Sequence, residues 1–189
     1  AAIVGDRACD IAPDVTHCIN CYAAVKVAQI AKACGIKKMF FSSTCSVYGA
    51  SEEVLEESSP TRPVSLYAAT KIDAERMMLP MSCCDFPVTV VRFGTIYGLS
   101  GRYRFDLVVN IMTAKAVSDG KINVFGGKQW RPLVHVEDAA RAILHLMNAP
   151  VGQTAGKVFN IGSNEQNYQI SEVGEMVKNA VPDADLLLC

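Results

Sequence analysis

The sequence predicts an α/β fold on a doubly wound parallel sheet, and three observations predict it. Apolar residues at helical spacing run from Pro13 through DVTHCINCYAAVKVAQIAKACG and pass, at Gly35, straight into the β-prone run GIKKMFF. The same order returns as a helix over about 65–81 followed by the strand PVTVVRFG over 87–94. Half of the 189 residues are apolar and the net charge is −1, so the chain can bury the core that a layered fold requires.

Each element has its own signal. The first helix, about five turns long, stops at Gly35 because glycine accepts the left-handed backbone that closes a helix. The strand over 36–41 then ends in the polar cluster SSTCS, and a polar loop with Pro60 and Pro63 leads into the second helix. After Gly98 the texture changes. There SGRYRF opens a helix through about Val117, followed by the short strand INVF and the turn GGKQ. In WRPLVHVEDAARAILHLM, His135 reads as a strand residue and Asp138 as a helix N-terminal cap. VFNIGSN reads as a further strand and turn, and QISEVGEMVKNAV as a helix capped by Ser171 with Pro182 soon after it.

Several classes are set aside. Basic residues are scattered and balanced by acids, so no stripe is available to neutralise nucleic-acid phosphates. The apolar stretches are too short and broken to span a bilayer, and the N-terminus lacks an export signal, which predicts a cytoplasmic protein without membrane contact. Eight cysteines in such a chain read as reduced thiols. Cys18 and Cys21 with His17 resemble half a zinc site that Cys83 and Cys84 could complete. Adjacent cysteines chelate one ion poorly, however, so buried, unreactive thiols and no metal are expected.

Two segments carry chemistry. Tyr67 and Lys71 in SLYAATK are four residues apart, so a helix presents both on one face, one turn from each other. An ammonium near a phenol stabilises the phenolate and makes tyrosine a usable base. The same spacing also occurs on solvated helices without any function. Ser42, Ser43 and Thr44 stand where a buried strand ends, the edge at which parallel α/β sheets hold ligands. A hydroxyl there can orient a substrate oxygen, or simply cap the strand.

In this order, about two dozen residues apart, the two segments resemble the Ser/Thr, Tyr, Lys constellation of extended short-chain dehydrogenases/reductases, the NAD-dependent epimerase/dehydratase family. RFGTIYG over 92–98 resembles that family's RxxNxYG segment, RPLVHVEDAARAI over 131–143 its RxxxHVxDxA segment, and FNIGS from Phe159 the strand and turn that follow. The resemblance implies a partial Rossmann-like sheet without its N-terminal strands. Residues 1–98 would form the C-terminal part of the dinucleotide-binding domain. Residues 99–189 would form a smaller substrate-binding region, interleaved with returning Rossmann elements at about 131–163 and incomplete at its C-terminus.

Carried over, the resemblance makes Thr44, Tyr67 and Lys71 catalytic. Thr44 would bond a sugar hydroxyl, Tyr67 would be the acid/base, and Lys71 would hold the nicotinamide ribose. Asn20, Ser42, Ser43 and Thr95 would shape the NAD side, with NADP as the alternative. Arg131 matches the arginine set against the sugar-nucleotide diphosphate, though an ion pair with Glu137 or Asp138 would also explain it. Asn110 matches a phosphate-contacting position and has plain helix-face uses as well. The helices near 14–34 and 65–81 would pair with a second copy in a homodimer.

Departures from the pattern matter too. No GxGxxG occurs anywhere in the sequence, which implies that roughly seventy residues with the cofactor's pyrophosphate cradle precede Ala1, and that this stretch alone would not hold NAD tightly. Cys45 and Ser46 precede VYG where dehydratases place an acid, so 4-epimerisation of a nucleotide sugar is expected over dehydration or reduction. Thr95 stands where the family has asparagine. A non-catalytic interaction fragment, using exposed sheet edges, is the reading from a different class.

Overall fold

The computed structural model describes residues 2–101 and 103–189. Along the chain come helices α1 (Asp6–Ile11), α2 (Pro13–His17) and α3 (Ala24–Ala33), strand β1 (Met39–Thr44), helix α4 (Leu66–Met78) and strand β2 (Val88–Phe93). Strand β3 (Thr95–Tyr97), helix α5 (Val108–Asp119), strands β4 (Lys121–Val124) and β5 (Trp130–His135) and helix α6 (Val136–Asn148) follow. Helix α7 (Val151–Thr154), strands β6 (Lys157–Ile161) and β7 (Asn167–Gln169), helix α8 (Ile170–Ala180) and strand β8 (Asp185–Leu188) complete the order. The chain divides into two compact units, Ala1–Phe93 with Ala142–Ile161, and Gly94–Arg141 with Gly162–Cys189.

The first unit holds a parallel sheet in the order β1-β2-β6, with Thr44 beside Phe93 and Phe93 beside Ile161 at its C-terminal edge. Its strands are apolar on both faces because the layer is covered, and Val88, Val90 and Val91 are fully buried. Phe41, Phe86 and Val90 pack with Val25 and Ala28 of α3 and with Ala74 and Met78 of α4.

Strand β1 lies three residues later than the sequence pattern suggests. Gly35 takes φ +71, and the N–H groups of Gly35 and Ile36 turn back to the carbonyls of Lys32 and Ala31, so Ile36 closes the helix and the strand has yet to begin. The first rung is Met39 N–H to the Pro87 carbonyl, 3.0 Å. Ser42, Ser43 and Thr44 are therefore the last residues of the strand itself. The long first helix is also not uniform. Between α2 and α3, Cys18–Ala23 widens into a π-helical segment whose buried residues are Asn20 and Cys21.

In the second unit β3 pairs in parallel with β5, β7 joins β5 antiparallel, and β4 pairs in parallel with β8. Met112 and Ala116 of α5, Val173 and Val177 of α8, and Ile122, Val124 and Leu133 form its core. Helix α8 comes so close to β4 that a Cβ on Gly174 would meet Val124 Cγ2 at 2.6 Å. Helix α5 starts at Val108 and not within SGRYRF, because Arg104 pairs with Asp106 and its carbonyl takes a bond from Asn110 Nδ2 at 3.1 Å, which holds the preceding loop. The cap of α8 is Gln169, in a reciprocal box with Glu172, and Ser171 falls inside the first turn. Asp138 is likewise no cap. Helix α6 begins at Val136, directly after β5, and Asp138 sits in its first turn 3.5 Å from Arg141.

All eight cysteines are free thiols. Cys9 and Cys21 are buried, and burial, first among the causes, pushes both thiols above their ordinary value. The expected burial fails for Cys18, Cys34, Cys83, Cys84 and Cys189, which lie exposed on an outward helix face, in turns and at the chain end. Among the described residues no group of His, Cys, Asp and Glu could hold a metal ion, and no helix is long and apolar enough to cross a membrane.

Candidate active site

The first unit gathers the strand-end hydroxyls and the Tyr67–Lys71 helix. Thr44 closes β1 with its Oγ1 accepting from Ser46 N–H and donating to Ser46 Oγ, both at 3.2 Å, and so caps the short 3-10 turn Cys45–Tyr48. Ser65 caps α4 by accepting from Ala68 N–H, which starts the helix just ahead of Tyr67. Tyr67 is half-buried, and its carbonyl takes the Thr70 hydroxyl at 2.8 Å.

Lys71, one turn further along α4, is only 5% exposed. Its Nζ lies 4.2 Å from the centroid of the Phe41 ring on β1, and among the described residues it donates to no acceptor oxygen. Burial lowers its pKa from 10.5 to about 8, with Glu75 pulling in the opposite direction. A lysine so placed, on the same helix face as a tyrosine, fits ribose hydroxyls.

Behind this face lies a buried polar cluster. Glu75, one turn after Lys71, receives Arg92 Nη2 at 2.6 Å, Arg92 Nε at 3.2 Å and the Ser43 hydroxyl. Arg92 Nη1 donates to Tyr48 OH at 2.8 Å, and Tyr48 OH donates to Asn160 Oδ1 at 2.7 Å. Burial alone would lower the Arg92 pKa, but the bonds to Glu75 and Tyr48 outweigh it and hold the guanidinium above its ordinary value. Ser43 thus spends its hydroxyl proton inside the core, while Ser42 is exposed.

Asn20 is buried and fully engaged. Its Oδ1 accepts from Ile3 N–H at 2.7 Å, and its Nδ2 donates to the Ile3 carbonyl at 2.9 Å and to Thr70 Oγ1 at 3.3 Å. It therefore ties the segment around Ile3 to the turn of α4 that carries Tyr67.

The second unit contains a cleft of about 390 Å³ that brings together Thr95 and Arg131. Lys115, Asn123, Phe125 and Gln129 line it as well, and none of these stood out in the sequence. Lys115 had only its place one turn after Ile111 as a signal. Arg131 bonds the Trp130 carbonyl at 3.0 Å and is exposed. The ion pairs suggested for it do not form, because Glu137 and Asp138 face Arg141 at 3.9 and 3.5 Å. Asn110 does not line the cleft, since its amide is bound to the Arg104 carbonyl. Lys115 and Arg131 outnumber Asp106, which also lines this largely apolar cleft, so the lining suits an anionic ligand with an apolar part. Beside it Tyr97 and His135 meet edge to face at 5.3 Å, and Gly98, with φ +119, leaves room for that histidine: a Cβ would stand 2.7 Å from His135 Nε2.

A model described as the NAD dependent epimerase/dehydratase family matches residues 1–162. The chain is 28% identical over 184 residues to a UDP-glucuronate 4-epimerase of Thermodesulfobacterium geofontis, covering 96% of this chain and 55% of the relative. It is 27% identical over 163 residues to a dTDP-D-glucose 4,6-dehydratase of Mus musculus, covering 85% and 44%. Among solved structures, MoeE5 in complex with UDP-glucose and NAD superposes with a TM-score of 0.86 at 26% identity, over 100% of this chain and 63% of that one. The chain spans about half the length of the curated relatives it matches.

Proposed function

Because the chain belongs to the NAD dependent epimerase/dehydratase family, we propose that its protein epimerises a nucleotide sugar at C4 through a transient 4-keto sugar. The observation that carries this reading is Lys71, a buried residue whose ammonium lies over the Phe41 ring and bonds no acceptor oxygen among the described residues, one helical turn from Tyr67. NAD, when bound, supplies the acceptor for the hydride of the sugar C4–H and returns it.

The chain's own residues do the rest. Lys71 binds the nicotinamide ribose and, as a cation, favours the phenolate of Tyr67. Tyr67 takes the proton of the sugar 4-hydroxyl and gives it back after the keto sugar has turned over. Thr44, fixed by its own turn, orients the reacting oxygen. Within the second unit, Arg131 and Lys115 offer charge for a diphosphate, and Thr95 lines the same cleft.

Epimerisation is favoured over dehydration by the turn after Thr44. Elimination of water needs a further acid and base, and Cys45 and Ser46 offer no carboxylate. A cytoplasmic homodimer belongs to the same reading, supported by exposed Val15, Tyr22, Val27, Ile30 and Met77 along the helices near 14–34 and 65–81.

The test is incubation of the chain, with a family-type N-terminal dinucleotide-binding segment joined to it, with NAD and UDP-glucose or UDP-glucuronate in deuterated water, followed by proton NMR. The expected product is the C4 epimer with its H4 retained and no deuterium. A 4-keto-6-deoxy product carrying solvent deuterium would establish a dehydratase instead, and failure to bind NAD would leave the interaction-fragment reading.

A further inference from the structure

The buried cluster around Arg92 is not used by the mechanism above. It nevertheless touches every element that carries a catalytic residue in the first unit. Ser43 precedes Thr44 on β1, Tyr48 closes the turn that Thr44 caps, and Glu75 follows Lys71 by one turn on α4. Arg92 on β2 lies between them, and Asn160 on β6 takes the Tyr48 hydroxyl. The long loop before α4 is also drawn in: the Asn160 N–H donates to Glu57 Oε1 at 2.7 Å, and the Glu57 carbonyl accepts from Arg92 at 3.4 Å. Glu75 is 1% exposed and Arg92 6%. A pair so deeply buried gives little net stability compared with apolar residues of the same volume, so its presence calls for another explanation.

We propose that Glu75, paired with Arg92 and bonded by the Ser43 hydroxyl, is a positioning residue for Lys71, setting how firmly the lysine keeps its proton and, through the Arg92 bond to Tyr48, tying the Thr44 turn to the same frame. The proposal rests on the reading of Lys71 as the ribose-binding cation. The chemical logic is a division of labour. Burial works to strip Lys71 of its charge, and a carboxylate one turn away opposes that loss. A carboxylate buried so deeply needs a paired cation, and Arg92 Nη2 supplies it at 2.6 Å. Because Arg92 also grips Tyr48, the charge that tunes Lys71 and the turn that aims Thr44 cannot move independently.

Among the described residues, the titratable and charged groups nearest Lys71 are Tyr67 and Glu75 on its own helix, with Arg92 behind Glu75 and Tyr48 behind Arg92. Strand β1 presents Phe41 and Ser43. Asp73, on another face of α4, is turned to His17 at 3.2 Å and to Arg76 at 3.8 Å.

The test reads Lys71 directly and needs neither cofactor nor substrate, so it can fail while the epimerase reading stands. The protein is labelled at lysine Cε with carbon-13, the Lys71 signal is assigned by its loss in Lys71→Arg, and its shift is followed from pH 6 to 10.5. Glu75→Gln is expected to weaken proton binding at Lys71 by about tenfold, the size of one neighbouring charge in a screened interior. Should Glu75→Gln not fold, the double variant Glu75→Gln/Arg92→Gln, which removes both buried charges, carries the test with a smaller downward shift. Tyr48→Phe is expected to leave the Lys71 titration nearly in place and to speed amide exchange at Ser46 and Asn160. An unchanged Lys71 titration in a folded variant lacking the Glu75 charge overturns the proposal.

Discussion

Replacing Lys71 by methionine is expected to stabilise the protein at neutral pH while abolishing the proposed reaction. A lysine whose pKa falls from 10.5 to about 8 has lost about 3 kcal/mol of preference for its charged form on folding, at about 1.4 kcal/mol for each tenfold change in proton affinity. Methionine keeps much of the apolar stem and has no charge to desolvate. It forfeits the ammonium's contact with the Phe41 ring, worth about 1–2 kcal/mol when desolvated, so a net gain of about 1–2 kcal/mol is expected. The pH dependence has a definite sign. The folded pKa lies below the unfolded one, so between about 8 and 10.5 the unfolded chain binds more protons and the wild type gains stability as pH rises. The advantage of Lys71→Met is therefore largest below pH 8 and fades toward pH 10.5. Urea unfolding of both proteins by circular dichroism, at pH 7 and pH 9.5, measures it. A variant less stable than wild type at pH 7, or a difference that does not shrink at pH 9.5, would refute the view of Lys71 as a cation held against its solvation.

Three further outcomes follow from positions described above. In the protein carrying a family-type N-terminal segment, Tyr67→Phe should lower turnover of the nucleotide sugar by about 10²–10⁴-fold while leaving NAD affinity unchanged by calorimetry, because only the proton-transferring oxygen is removed. Gly98→Ala should cost about 1–3 kcal/mol in urea unfolding, since φ +119 disfavours any side chain and the new Cβ would stand 2.7 Å from His135 Nε2; a neutral result would mean that the Tyr97–His135 contact is easily displaced. Gln169→Ala removes one half of the capping box at the start of α8, and a loss of about 1 kcal/mol is expected, with faster amide exchange confined to the first turn of that helix.

The repeated helix-to-strand order was legible because each αβ step leaves its own local signal: periodicity, a glycine stop, then a β-prone apolar run. Gly35 shows the limit of that signal. The glycine marks the turn, but only the bonds from Gly35 and Ile36 back into the helix reveal that the strand starts at Met39. Strands β3, β7 and β8 are three or four residues long, too short for any period to register, and their pairing is decided by partners far along the chain. At the site, SLYAATK could be read because one helical turn relates its two functional groups. The partnership of Glu75 with Arg92 joins α4 to β2 through a contact that no spacing encodes, and the apolar pattern of VVRF gives no hint that its arginine is buried. Lys115 escaped notice for the same reason. A lysine on a helix is ordinary until the fold places it in the same cleft as Arg131.

The π-helical segment at Cys18–Ala23 has a historical meaning as well as a geometric one. A wide turn of this kind is what remains when one residue is inserted into an α-helix and the surroundings absorb it locally. Everything beyond the insertion is rotated by about 100° relative to an uninterrupted helix. Upstream of the bulge's end, Asn20 faces Ile3 and Thr70; downstream, Val25 and Ala28 face Phe41 and Met78. Cys21, the residue after Asn20, already packs in the same apolar seam as Val25 and Ala28, so the segment carries the start of both sets of contacts. Shortening this segment by a single residue would force a choice between the asparagine clamp and the apolar seam, so the length of the segment is under tighter constraint than the identity of most residues in it.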